Sequence, residues 1–149
     1  MNSSLPAIDA ALLQRALEAL QETTRGRVQA ELQAAPKAPG RGAMPGPCIQ
    51  IACNGKARRL RCEISPKLDP RAVAVAAARV EAGRRTSRLA VVLVTEHVSQ
   101  RLAAELLERE IPFLDAAGNA HLSFRELFVL VTGKPRRRSR REDRLANRN

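Results

Sequence analysis

Leu89-Ala-Val-Val-Leu-Val94 is an unbroken apolar run of β-branched character, which predicts a short strand buried on both faces. The period then changes. Leu102, Ala103, Leu106 and Leu107 recur at helical spacing, with Arg101, Glu105 and Arg109 on the opposite face at spacings of four and Ser99 placed to cap the start. Pro112 stops that helix, and Pro112-Phe-Leu-Asp115 reads as a second short strand ending at Ala116-Ala-Gly-Asn119. Strand, amphipathic helix, strand is a βαβ unit, so the two strands are expected to be parallel and joined by a right-handed crossover. The rest of the chain is expected to pack against it.

Upstream, residues 5–33 read as one helix with Ser4 or Asp9 as cap. Ile8, Leu12, Leu13, Leu17 and Leu20 form a stripe that fades through Val28 and Leu32, and Thr23-Thr-Arg-Gly26 interrupts it. Pro36 to Pro47 holds four Pro and three Gly, a connector. Asn54-Gly55 is a type I′ turn signal between the strands Cys48–Cys53 and Ala57–Ile64. If Cys53 pairs with Lys56, Ile49 faces Leu60 and Ile51 faces Arg58. One face then carries Ile49, Ile51, Cys53, Leu60, Cys62 and Ile64, and the other Cys48, Gln50, Arg59, Arg61, Glu63 and Ser65. Asp69-Pro70 opens a helix of mostly Ala and Val that should lie largely buried, with Gly83 as its stop. After Asn119, Ala120–Phe124 and Leu127–Thr132 read as strands, and Gly133 ends the fold.

The expected architecture is α/β (α+β), a mixed sheet flanked by helices in the order α-β-β-α-β-α-β-β-β. The expected organisation is an N-terminal helix at 1–35, a Pro/Gly connector at 36–46, a core domain at 47–133 and a basic tail or linker at 134–149.

Composition adds an electrostatic theme. The 149 residues carry a net charge of +11, and the last 16 hold eight Lys or Arg against Glu142 and Asp143, so +6 of the +11 lies there. That balance points to a polyanion partner, DNA first. With three Phe and no Trp or Tyr, single-strand binding by base stacking is not expected. Cys48, Cys53 and Cys62 form no C-x-x-C pair, and His97 and His121 lie at no metal-ligand spacing from them. Reduced cysteines in a cytoplasmic protein, without metal or cofactor, are the reading. No apolar run reaches ~18 residues and no signal sequence precedes the fold, so neither a membrane span nor secretion is expected.

Three places carry candidate chemistry. On the polar hairpin face, Glu63 with Lys67 could be the remnant of a metal-dependent nuclease centre. Such a centre needs two carboxylates and a lysine on one cation, and a lone carboxylate seldom holds Mg²⁺. The simpler reading pairs Glu63 with Arg61, Arg59 or another base on the sheet. Asp115, Gly118 and Asn119 lie at the carboxyl end of an expected parallel strand, where α/β sheets place sites; the simpler reading is a structural turn. His121, within a strand, is read as core-flanking rather than catalytic. The third is the tail: Lys134, Arg136, Arg137, Arg138, Arg140 and Arg141 place six cations in eight residues. With Arg59 and Arg61 they are the candidate nucleic-acid contacts.

Ser99–Arg109, Ile111–Leu122 and Leu127–Lys134 together resemble the AbiEi-type antitoxin family, transcriptional regulators of type IV toxin–antitoxin systems. The resemblance is most specific at Phe113–Asn119, the string aromatic, aliphatic, Asp, x, Ala, Gly, Asn, and it extends over residues 45–134. Arg144–Asn149 resembles the linker before a winged-helix domain in longer members, a domain that would here be missing or separate. The hairpin and the following βαβ unit also resemble the restriction-endonuclease-like fold. That likeness maps the catalytic Asp, Glu and Lys onto Cys48, Glu63 and Ser65, so two of the three are replaced. The resemblance implies a regulator with a catalytically inactive nuclease-like core serving as scaffold, homodimer or partner surface, and with basic residues contacting DNA. The alternatives are a nuclease using Glu63, Lys67 and Asp115, and a protein-interaction module.

Overall fold

In a computed structural model the described residues are 6–33, 47–86, 89–125 and 127–137. They form α1 (Ala7–Thr23), β1 (Val28–Gln33), β2 (Cys48–Cys53), β3 (Lys56–Ile64), α2 (Pro70–Thr86), β4 (Ala90–Thr95), α3 (Gln100–Glu108), β5 (Phe113–Asp115), β6 (Ala120–Phe124) and β7 (Leu127–Val131). The α/β class with a mixed sheet holds. The seven strands lie side by side in chain order. β3, β4 and β5 run parallel, and the outer pairs β1–β2, β2–β3, β5–β6 and β6–β7 are antiparallel.

The βαβ unit is built as expected. Val91 to Thr95 are all buried in β4, and Ser99 caps α3 by accepting from the Leu102 amide at 3.2 Å. α3 ends where Glu110 turns into the left-handed region (φ 57°), and Pro112 leads into β5 beside Leu93–Thr95. The hairpin register also holds: Cys53 faces Lys56, Ile49 faces Leu60, and Ile51 faces Arg58. Asn54 (φ 53°) and Gly55 (φ 78°) supply the two left-handed residues that a type I′ turn demands.

Several expectations are corrected. The helix read over 5–33 ends at Thr23, with Pro6 rather than a side chain at its cap, and Val28–Gln33 is the strand β1. Val28, Ala30 and Leu32 also fit a period of two, and the Thr24–Gly26 turn makes that period the operative one. Leu12, Leu13, Ala16, Leu17 and Leu20 of α1 fill one core with residues from all seven strands. The sheet curls around α1, far enough that the Arg58 guanidinium of β3 lies 4.8 Å over the Phe124 ring of β6.

α2 is less buried than its Ala/Val content suggests: Val73, Ala76 and Val80 face inward while Val75 is 51% exposed. With Ala103, Leu106, Val98, Ile111, Val91, Leu93 and Phe113 that stripe makes a second core on the convex side of the sheet. Gly83 does not stop α2, which continues to Thr86. It lets α2 approach β4, since a Cβ there would stand 2.7 Å from Val91 Cγ2. Asp69 does cap α2, its carboxylate accepting from the Ala72 amide at 2.7 Å. Finally, Gly133 is not the last tethered residue, because backbone and side chains beyond it bond to the core. No helix among the described residues is long and apolar enough to cross a membrane.

Candidate functional site

The short strand β5 ends on Asp115, 1% exposed, and its carboxylate is fully occupied by neighbours. Oδ2 accepts from the Val98 amide and from Asn119 Nδ2, each at 2.7 Å. Oδ1 accepts from the amides of Ala117 and Asn119 at 2.9 and 2.8 Å. Four donors saturate the lone pairs of one carboxylate, so the group holds a turn and has no position open for a cation. Gly118 completes the turn at φ 98°, packed so that a Cβ would meet Thr23 Cγ2 at 2.3 Å. Its carbonyl accepts from Thr23 Oγ1 at 3.3 Å, which ties α1 to the turn.

Asn119, also 1% exposed, continues the chain of bonds outward. Its Oδ1 accepts from the Lys134 amide at 2.8 Å, and its Nδ2 donates to the Lys134 carbonyl at 3.0 Å. His97 Nε2 lies 3.0 Å from the same carbonyl oxygen and donates to it in the tautomer protonated there. Three residues on, Arg137 Nη1 donates to Glu22 Oε2 of α1 at 2.9 Å. The first residues of the basic segment are thus strapped across the carboxyl ends of β4 and β5. Between strap and α1 lies an open cleft of about 360 Å³ lined by Glu22, Thr23, Arg25, Ala117, Lys134, Pro135 and Arg137. Three cations and one carboxylate border it.

The polar hairpin face is arranged differently. Glu63 bonds Arg79 of α2 at 3.2 Å rather than Arg59 or Arg61. Lys67 is exposed, and Cys48, opposite Arg61, is 1% exposed. Glu63 pairs with Leu93 and Asp115 with Thr95, two strands and two residues away. At ordinary strand spacings their Cα atoms are about 12 Å apart. Glu63, Lys67 and Asp115 therefore do not converge, and the described residues hold no group of three His, Cys, Asp or Glu able to share a metal ion. Arg59 is exposed, and Arg61 keeps Nε and Nη1 buried with no hydrogen-bond partner among the described residues. His121 stacks tilted against Phe113 with ring centroids 6.1 Å apart, at the edge of the second core.

The candidate nucleic-acid residues thus fall into two groups. Arg61 stands level with Val91 near the start of β4, whereas Lys134 is bonded beyond the end of β4, at His97. Lys134, Arg136 and Arg137 begin the strap; Arg138, Arg140 and Arg141 lie outside the described residues. Sequence reading missed Arg25, Glu22 and His97. Arg25 did leave a trace, sitting before Gly26 in the segment that interrupts the helical stripe; its φ of 54° marks it as part of a tight turn. No protein-family model matches the chain, and the searches of curated proteins and of solved structures return nothing significantly similar.

Proposed function

We propose that the chain is a nucleic-acid-associated regulator of the kind suggested by its likeness to AbiEi-type antitoxins. Its nuclease-like sheet acts as a scaffold, and its basic residues contact the phosphate backbone. The observation that carries the reading is the concentration of charge: +6 of the net +11 within residues 134–149, beginning on a strap fixed to the fold by Asn119. Such a segment binds polyanions by releasing condensed counterions, without reading bases. The positions of Glu63 and Asp115 favour a scaffold over a hydrolase, since the first pairs with Arg79 and the second is consumed in the turn. The β2–β3 hairpin and the β4–α3–β5 unit are the elements on which the nuclease-like resemblance rests.

The test is a salt titration of duplex DNA binding by the whole chain, beside a variant with Arg136, Arg137, Arg138, Arg140 and Arg141 changed to Gln. Binding is expected to weaken steeply with salt, with a slope of about −0.9 in log K per phosphate neutralised. The variant is expected to lose most of that slope. A flat profile, or no binding at about 50 mM salt, overturns the reading.

A further inference from the structure

Arg25 is far in the chain from Lys134 and Arg137, yet all three border one cleft. Each is held at its backbone or its side chain before any ligand arrives. Arg25 sits in the turn after α1, its amide donating to the Glu22 carbonyl at 3.1 Å. Lys134 is gripped at both its amide and its carbonyl by Asn119, and Arg137 is steadied by Glu22. Cations fixed in advance lose less freedom on binding than a free tail would.

Two features oppose an anion there, and both are weaker. The carboxyl end of α1 presents about half a negative charge, set against three full positive ones. Glu22 is bound to Arg137, but those side chains are 68% and 45% exposed, and an ion pair that open holds its partners only weakly. Arg137 can exchange Glu22 for a phosphate at little cost. The cleft is also roomier than one inorganic anion needs, which fits a phosphate carried on a chain.

We propose that this cleft seats a phosphodiester group of a nucleic-acid backbone, with Arg25, Lys134 and Arg137 as its contacts. The proposal rests on the nucleic-acid reading above and adds to it a fixed point on the folded core. Arg25 supplies the decisive variant, because its side chain is exposed and its removal leaves both cores intact.

Fluorescence anisotropy with a labelled DNA duplex, titrated with salt, compares the wild-type chain, Arg25→Gln and Arg109→Gln. Arg109 is likewise an exposed arginine, at the end of α3 and ion-paired to Glu105 at 3.4 Å, so both variants lose one charge. Arg25→Gln is expected to lower the salt slope by about 0.9, the loss of one phosphate contact, while Arg109→Gln leaves it unchanged. Equal effects of the two variants would mean diffuse attraction and overturn the cleft while sparing the nucleic-acid reading. Unchanged binding by Arg25→Gln does the same. Absence of wild-type binding removes both.

Discussion

Cys62 shows how a single buried side chain couples to pH. It lies at 3% exposure in the concave core, where burial, helped by the neighbouring Cys48, pushes its thiol well above the usual range. A folded-state pKa above the unfolded one, near 8.5, contributes stability that is complete below the unfolded value and lost as pH rises past it. Urea denaturation is therefore expected to give a steeper fall in stability above pH 9 for the wild-type chain than for Cys62→Ala. Parallel curves would mean that the thiol ionises equally in both states. Asp115 differs from Cys62 in how much the sequence reveals. Its string with Gly118 and Asn119 announces a turn, because those residue types favour turn geometry. Nothing local announces that Asn119 will reach Lys134, since that contact depends on where β6 and β7 return the chain.

At the level of the element, α2 tests whether helix propensity or packing governs. Gly83 within a helix costs about 1 kcal/mol relative to alanine, so Gly83→Ala would stabilise an isolated helix. Here the added Cβ would stand 2.7 Å from Val91 Cγ2, and Val91 is a buried β-branched residue in a central strand with little room to turn. Packing is expected to win: Gly83→Ala should lower the unfolding free energy by about 1–3 kcal/mol in chemical denaturation. A more stable variant would show that α2 can lift off the sheet without loss. The same contrast explains which elements could be read in advance. β2 and β3 were legible down to their register because Asn54-Gly55 fixes the turn and a one-residue slip would expose a whole apolar face. β1 was not, because Val28 and Leu32 are four apart and continue the stripe of α1, so both periods fit the same residues.

At the scale of the molecule, the sheet has two edges, β1 and β7, with no further strand beside either among the described residues. On β7 the alternation buries Leu127 and Val129 and leaves Phe128 68% and Leu130 48% exposed on the convex side. An open edge bearing two apolar side chains invites pairing between copies, and the net charge of +11 opposes it. Salt weakens the repulsion but not the apolar contact. Light scattering of concentrated protein is accordingly expected to rise with added salt, and to rise less in Phe128→Lys, which puts another charge on that edge. Identical curves would clear β7 of any part in association. The α/β class and the central βαβ unit were legible at this scale because they follow from local periodicity. The curl of the sheet around α1 was not, because it follows from the summed geometry of all seven strands.

The strand order has a consequence for how the molecule comes into being. Every strand lies next to its predecessor in the chain, so a polypeptide emerging from the ribosome finds the edge it needs already made. The widest detours, through α2 and α3, bring their own covering layer with them. Assembly can therefore proceed in one direction, from α1 to β7, without a strand having to wait for a partner not yet synthesised.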